Sequence, residues 1–256
     1  MTNFIAGFLY ACAALFARLP WSWLRGLADL FASRWERGDG RTAKIVRRNL
    51  ELAYPELLPG QRNTLAAGVL RTTARQALET LRFWTRPHPR NLALIREMQG
   101  VELFDAAVAA GRGLIVAAPH YGSWELLNQW LAHRTPLAIL YAPPDSDIGE
   151  AFLRRVRAAH GDADRVTQVR AEGPAIRGLF KLLQGGGVAG ILPDQQPKAG
   201  DGEFAPFFGI HALTMTLLTR LAQRTGATVL VGYCERIGQT DDGPAFALRF
   251  EAVPDA

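Results

Sequence analysis

Cysteine is scarce. Cys12 and Cys234 are the only two in 256 residues, and they lie far apart. Two distant cysteines exclude a disulfide framework, and no Cys/His spacing suits a zinc site, so the chain fits a reducing compartment. Long apolar runs are also missing. Phe4–Ala17 carries no charged residue, but it falls short of the ~20 residues that a straight bilayer span needs. No G-x-S-x-G turn is present, which removes the usual strand-to-helix setting of a serine nucleophile. No basic stripe is interleaved with aromatics, so single-stranded nucleic acid is not an expected partner. Internal repeats, low-complexity tracts and linkers are absent as well.

What is present is unevenly distributed. Residues 1–50 hold eight Arg/Lys against Asp29, Glu36 and Asp39, which is the whole of the net charge of +5. Basic charge beside apolar sequence points to an anionic membrane surface. Leu19-Pro20 interrupts the first apolar stretch, and Trp21 and Trp23 follow, a residue type that settles at headgroup depth. Without a basic segment ahead of it or a clear cleavage site, residues 1–40 read as an interfacial helical anchor with a basic collar rather than a cleaved leader, with a tilted span and an ordinary buried helix as the alternatives. Residues 41–256 then form the body.

The body begins with helices, expected over 42–52, 65–84 and 101–110, with a Pro87-His88-Pro89 break where His88 reads as a solvated loop residue. Beyond Gly113 the pattern alternates. Strands are expected at 114–118, 137–141, 166–169, 188–192, 228–233 and 246–251. Helices are expected at 123–133, 149–160, 174–183 and 214–224. Strands alternating with helices imply an α/β fold, with a mostly parallel central sheet flanked by helices.

The stretch GLIVAAPHYGSWELLNQWL (113–131) is the most informative. Pro119 ends a strand that is apolar on both faces, and Ser123 suits a helix N-cap. Five positions apart on one helix, His120 and Glu125 would lie about 140° around the axis and could not meet. With His120 in the turn and Glu125 in the first helical turn, the carboxylate can fold back toward the imidazole, as a general base and its orienting acid require. The plainer reading is a loop histidine and a glutamate that favours the helix dipole.

Placement shifts the weight toward a site. Ligands of open α/β sheets bind outside the carboxyl ends of the strands. Loops carrying His120 with Glu125, Tyr141-Ala142-Pro143, Asp194-Gln195-Gln196 and Glu235-Arg236 are expected at that edge. His133, His160 and His211 do not share the placement and read as structural. Phe204, Phe207 and Phe208 fall in a Gly/Pro-punctuated loop. Exposing three phenylalanines is unfavourable, so they are expected to line the core or a channel for an apolar chain.

Several segments in order carry a resemblance. His120 and Glu125 form H-x4-E in a strand–Pro-His–turn–helix setting. RLPWSWLRGLADL (18–30), RRNLELAYPEL (47–57) and ALETLRFW (77–84) precede it, and LPDQQ (192–196) and FAPFFGIHALT (204–214) follow. Together they resemble the bacterial lipid A late acyltransferases, a branch of the lysophospholipid-acyltransferase-like superfamily, over nearly the whole chain. The resemblance implies transfer of an acyl chain from acyl carrier protein to a hydroxyl of a lipid A precursor, at the cytoplasmic face of the inner membrane, with no cofactor and no metal. It gives His120 the hydroxyl proton and Glu125 the orientation of His120. It makes Arg157, Arg177, Asp194 and Gln195 candidates for holding the acceptor headgroup.

Two features depart from the pattern. Tyr141-Ala142-Pro143 stands where Tyr-Arg-Pro is frequent, so a phosphate contact is expected to be missing. Nothing in this sequence corresponds to the helix and basic aromatic tail that follow the last strand in the family. The alternatives are an acyltransferase for another membrane lipid (an amino-acid lipid or glycolipid), or a non-catalytic lipid-binding protein with a degenerate site.

Overall fold

The computed structural model describes the chain except residues 39, 142, 143, 145, 159–164, 172, 241, 242 and 254–256, and the side chains of residues 157, 158 and 174. The helices are α1 (Thr2–Phe16), α2 (Trp21–Arg37), α3 (Arg41–Ala53), α4 (Pro59–Thr85), α5 (His88–Leu92), α6 (Val101–Ala109), α7 (Trp124–Arg134), α8 (Asp147–Ala158), α9 (Gly173–Gln184) and α10 (Leu217–Thr225). The strands are β1 (Ile95–Gln99), β2 (Leu114–Ala117), β3 (Leu137–Tyr141), β4 (Val166–Arg170), β5 (Val188–Ile191), β6 (Gly202–Phe207), β7 (Ile210–Met215), β8 (Thr228–Thr240) and β9 (Gly243–Ala252).

Seven strands form one sheet in the order β1-β9-β8-β2-β5-β3-β4. Only β8 and β9 pair antiparallel, so the sheet is mostly parallel, as the alternating pattern implies. Side chains leave successive strand residues on opposite faces, and that alternation builds two cores. Leu114 and Val116 of β2, with Leu137 and Ile139 of β3, pack with Leu127, Trp130 and Leu131 of α7. Ile115 and Ala138, one residue over, pack with Leu179 and Leu183 of α9 and Leu221 of α10. Each fully buried Leu or Ile stabilises the fold by ~1.5–3 kcal/mol.

Chain direction opens a crevice. From β2 the chain moves outward to β3 through α7 on one face. It returns from β4 to β5 through α9 on the other face, and β5 inserts between β2 and β3. A crevice at the carboxyl ends of the strands follows from such a reversal.

Several expectations are corrected. β1 was missed because only Ile95 of its five residues is buried, so no apolar run marks it. β8 runs on to Thr240 and pairs with β9, which puts Glu235-Arg236 inside a strand rather than in a loop. Residues 202–215 are a two-stranded hairpin, and His211 lies on it. Phe204, Phe207 and Phe208 are 70%, 64% and 58% exposed, and so fill neither a core nor a channel. The helix expected from residue 214 starts at Leu217, because Thr214 and Met215 still pair with β6. His88 opens the short helix α5 instead of lying in a loop.

The N-terminal helices α1 and α2 pack on α8 and α4 respectively and meet at 110°. No single helix among the described residues is long and apolar enough to cross a membrane, although this bent pair has the length and composition to do so. Phe4, Phe8, Leu15 and Trp23 are exposed on it. Trp21, expected at headgroup depth beside Trp23, is instead buried, with the Arg82 guanidinium 5.3 Å from its ring centroid.

Candidate active site

The turn after β2 is pinned from several sides. Pro119 ends the strand, and Ala118 still donates its N–H to Ile191 O of β5. Gly122 adopts φ +67° and bridges to Cys234 of β8. A Cβ there would lie 2.1 Å from Cys234 O, so glycine is required by space as well as by φ. Ser123 N donates to the same carbonyl at 2.8 Å, and Gln76 Nε2 of α4 donates to Gly122 O at 2.7 Å. Ser123 caps α7 as expected, its Oγ accepting from Leu126 N at 3.3 Å. Glu125 follows in the first turn, where a carboxylate suits the helix dipole.

The His120 ring is held by a carboxylate from the loop after the neighbouring strand, β5. Asp194 Oδ2 accepts the His120 backbone N–H at 2.7 Å, and its Oδ1 lies 2.7 Å from His120 Nδ1. An ionised carboxylate only accepts, so in the neutral ring Nδ1 carries the proton and Nε2 keeps its lone pair. The Trp124 ring lies 5.1 Å away, centroid to centroid, and limits the tilt of the imidazole. The contact at Nδ1 is thus made by Asp194, a residue that the resemblance makes a candidate for holding the headgroup.

The register of the parallel strands explains this pairing. Ala117 of β2 is opposite Ile191 of β5. Three residues further along each chain come His120 and Asp194, each directly after a proline. The signal was therefore present in the sequence as two apolar runs, LIVAAPH (114–120) and VAGILPD (188–194), with the same length and the same stop.

His120 opens onto a cavity of about 820 Å³ between α7, α9, α10 and the loop after β5. Glu125 and Gln195 line it, as does Asn128 of α7. Glu125 itself is buried. Ile139, Leu140, Phe180, Leu192, Met215 and Leu217 supply the apolar wall, and Lys198, Arg220 and Arg224 supply basic groups. Sequence reading missed the three cations and Asn128. Arg220 and Arg224, spaced i,i+4 on an amphipathic helix, look like solvated surface residues until the fold turns that face to the crevice.

The remaining candidates separate from this group. Arg177 of α9 is exposed and is not among the cavity-lining residues. The side chain of Arg157, together with Ala142, Pro143 and His160, lies outside the described residues. Glu235 and Arg236 serve structural pairs. Arg249 and the Tyr121 hydroxyl both hydrogen-bond Glu235. Arg249 holds the Glu235 carboxyl below its usual value, while the bond to Glu235 pushes the Tyr121 phenol up. Arg236 pairs with buried Glu79 of α4, and burial brings its guanidinium down to about 10. Among the described residues, no group of three His, Cys, Asp or Glu side chains is placed to hold a metal ion.

An imidazole with a free acceptor nitrogen, set at the mouth of a partly apolar cavity, can take a proton from a bound hydroxyl. Residues 2–250 match the family model described as bacterial lipid A biosynthesis acyltransferase. The lipid A biosynthesis lauroyltransferase of Escherichia coli K12 is 26% identical over 210 residues, 81% of this chain and 65% of its own length. The lipid A biosynthesis palmitoleoyltransferase of the same organism is 26% identical over 191 residues, 74% of this chain and 60% of its own. The phosphatidylinositol mannoside acyltransferase of Mycobacterium tuberculosis CDC 1551 is 31% identical over 249 residues, 91% of this chain and 74% of its own. The chain therefore spans less than two thirds of the length of the two E. coli enzymes. With the family model matched from the second residue almost to the last strand's end, the chain belongs to the bacterial lipid A biosynthesis acyltransferase family.

Proposed function

We propose that the chain is an O-acyltransferase that moves a fatty acyl group from acyl carrier protein to a hydroxyl of a lipid A precursor. The observation that carries this reading is the Asp194–His120 pair at the mouth of the cavity. Nε2 of His120 takes the acceptor's hydroxyl proton as that oxygen attacks the thioester carbonyl. The tetrahedral intermediate collapses, and the carrier thiolate leaves and recovers the proton from the imidazolium. An ester and a free carrier thiol result. Asp194 fixes the tautomer and, with Glu125, steadies the transient positive charge of the ring. Gln195 and Asn128 are polar groups available to the reacting carbonyl. The apolar wall takes the acyl chain, each buried methylene contributing ~0.8 kcal/mol.

The exposed apolar and basic N-terminal helices suit work on the cytoplasmic face of the inner membrane, where a soluble thioester donor and a membrane lipid can both reach the site. Residues 1–40 then form the membrane-associated arm and 41–256 the catalytic body.

His120→Ala tests the reading. The variant should keep its circular dichroism spectrum and thermal midpoint while losing acceptor-dependent release of carrier thiol. Normal release by a folded His120→Ala protein would refute the mechanism. No release by the wild-type chain with any lipid extract would favour a lipid-binding protein instead. A second acceptor class is favoured by the 31% identity to a phosphatidylinositol mannoside acyltransferase, and a glycolipid is that alternative. The lipid profile of a deletion strain decides between them, because one species, lipid A or a glycolipid, will lack a single acyl chain.

A further inference from the structure

The geometry points to a phosphate-binding wall in this cavity, built by Thr216, Arg220 and Arg224 of the α10 segment with Lys198 from the loop after β5. It would take a phosphate mono- or diester carried by a substrate. This rests on the function proposed above only in supposing that the cavity receives a substrate.

All four residues line the cavity. Residues 216, 220 and 224 recur every four positions, and four residues advance a helix by about 40° beyond a full turn, so they form one stripe. Two arginines at i,i+4 repel each other on a bare helix. Among the described residues, no carboxylate pairs with Lys198, Arg220 or Arg224. Arg224 has only the Phe180 ring, 6.0 Å from its guanidinium. Two carboxylates do line the cavity. Glu125 belongs to the α7 wall, and Asp201 lies on the Lys198 loop, its N–H donating to Lys198 O at 3.0 Å. That leaves three cations and one nearby acid on the basic side.

A second observation concerns the start of α10. Thr216 occupies its N-cap position but makes no capping hydrogen bond. Its Oγ1 is buried and has no partner. Unpartnered buried hydroxyls are uncommon because the desolvation is uncompensated. A phosphate oxygen would accept from that hydroxyl and from the free first-turn amides, at the end of the helix where the dipole favours an anion. Arg220 stands one turn along the same stripe. A guanidinium grips phosphate through two parallel N–H bonds, which a carbonyl or hydroxyl ligand would not satisfy.

Phosphate of this kind occurs on both proposed substrates. The prosthetic arm of an acyl carrier protein has a phosphodiester, and phosphorylated lipid headgroups have monoesters. Binding without turnover separates the sources. The full chain in detergent is titrated with 4′-phosphopantetheine against pantetheine, and with phosphatidic acid against diacylglycerol in matched micelles. At least one phosphorylated member should bind about tenfold or more tightly than its partner, since hydrogen bonds to charged groups contribute at that level.

The pair that shows the preference identifies the donor or the acceptor as the source. Arg220→Gln/Arg224→Gln should bring the preference within about twofold. Arg220→Lys/Arg224→Lys should restore part of it, because the charge returns without the fork. Both arginines are exposed, so folding should be unaffected, and Lys198→Gln gives an independent, smaller loss. Equal binding within both ligand pairs, or a preference that survives the double Gln substitution, overturns the proposal. A chain that binds phosphate in this way but transfers no acyl group refutes the function proposed above and leaves the site standing.

Discussion

Asp194→Asn separates the two carboxylates that could govern the imidazole. In the wild type, Oδ2 accepts from His120 N and Oδ1 faces Nδ1, both at 2.7 Å. An asparagine can accept on one side and must donate on the other. If its oxygen stays on the backbone N–H, its amide points at Nδ1, which must then be an acceptor. The ring proton moves to Nε2, and no lone pair is left toward the cavity. The opposite flip sets the amide against the backbone N–H and leaves a donor unsatisfied, at about 1–3 kcal/mol. The first orientation is therefore favoured, and the base is held in the wrong tautomer. The same exchange in a Ser-His-Asp triad lowers kcat by ~10⁴. We expect a fall of roughly 10³–10⁴ here, equivalent to about 4–5.5 kcal/mol of transition-state stabilisation. The assay follows free carrier thiol with acyl carrier protein thioester and lipid acceptor, and KM for both should change little. The ¹⁵N spectrum of the His120 ring reports the tautomer directly. A rate within tenfold of wild type, or a ring still protonated at Nδ1, would refute this reasoning. Glu125→Gln is the control. If it, rather than Asp194→Asn, inverts the tautomer, then the local glutamate holds the ring.

Three further outcomes follow from packing and charge. Glu79 is 2% exposed and pairs with Arg236. Glu79→Ala leaves that guanidinium half-buried without its carboxylate and should cost about 3 kcal/mol in urea denaturation. The Glu79→Ala/Arg236→Met double variant should recover part of the loss. Gly122→Ala forces a methyl group against Cys234 O at a positive φ. It should cost about 2–4 kcal/mol and abolish turnover by displacing His120; retention of both stability and activity would show that the turn is not fixed by this bridge. Hydrogen bonds from Arg75 hold the Asp29 carboxyl below its ordinary 3.8. A lowered folded value contributes stability above the unfolded value and loses it as pH falls through the folded one. The stability gap between wild type and Arg75→Gln, about 1 kcal/mol or less for so exposed a pair, should be full at neutral pH and close below pH 3.8. A gap independent of pH would contradict it.

The parts of the fold that could be read from the sequence are those where burial leaves a pattern. β2, β3 and β5 are covered on both faces, so they read as unbroken apolar runs. The start of α7 was legible because Ser123 does its capping locally. β1 was not, because an edge strand that buries only Ile95 has no reason to be apolar. The Phe204–Phe208 segment misled for a different reason. Three phenylalanines are expected to be buried, but this hairpin holds them in solvent, with Phe208 at φ +47° in its turn. Hydrophobicity sets a preference for removal from water and says nothing of what does the covering. His120 was found from its place at a strand end. The basic wall was not, because the facing of α10 depends on packing against β2 and α9, which no local window contains.

The Asp194 partner of His120 shows how a contact can be written in a sequence and still escape a local window. A spacing such as H-x4-E draws attention to residues near in sequence, since only they share a local geometry that can be reasoned about. Parallel strands impose another relation. Two neighbours in register advance together, so any residue a fixed number of steps past the sheet on one is beside its counterpart on the other. Ala117 opposite Ile191 makes His120 opposite Asp194, 74 residues away. The prolines at 119 and 193 stop both strands at one level, so both polar residues emerge where the backbone has just left the sheet. The inserted strand, β5, is what makes them neighbours, because without its return between β2 and β3 the carboxylate would sit elsewhere on the edge. Matching apolar runs that end in the same proline step are therefore evidence of adjacency in a parallel sheet, and the polar residues that follow them are the pair to test first.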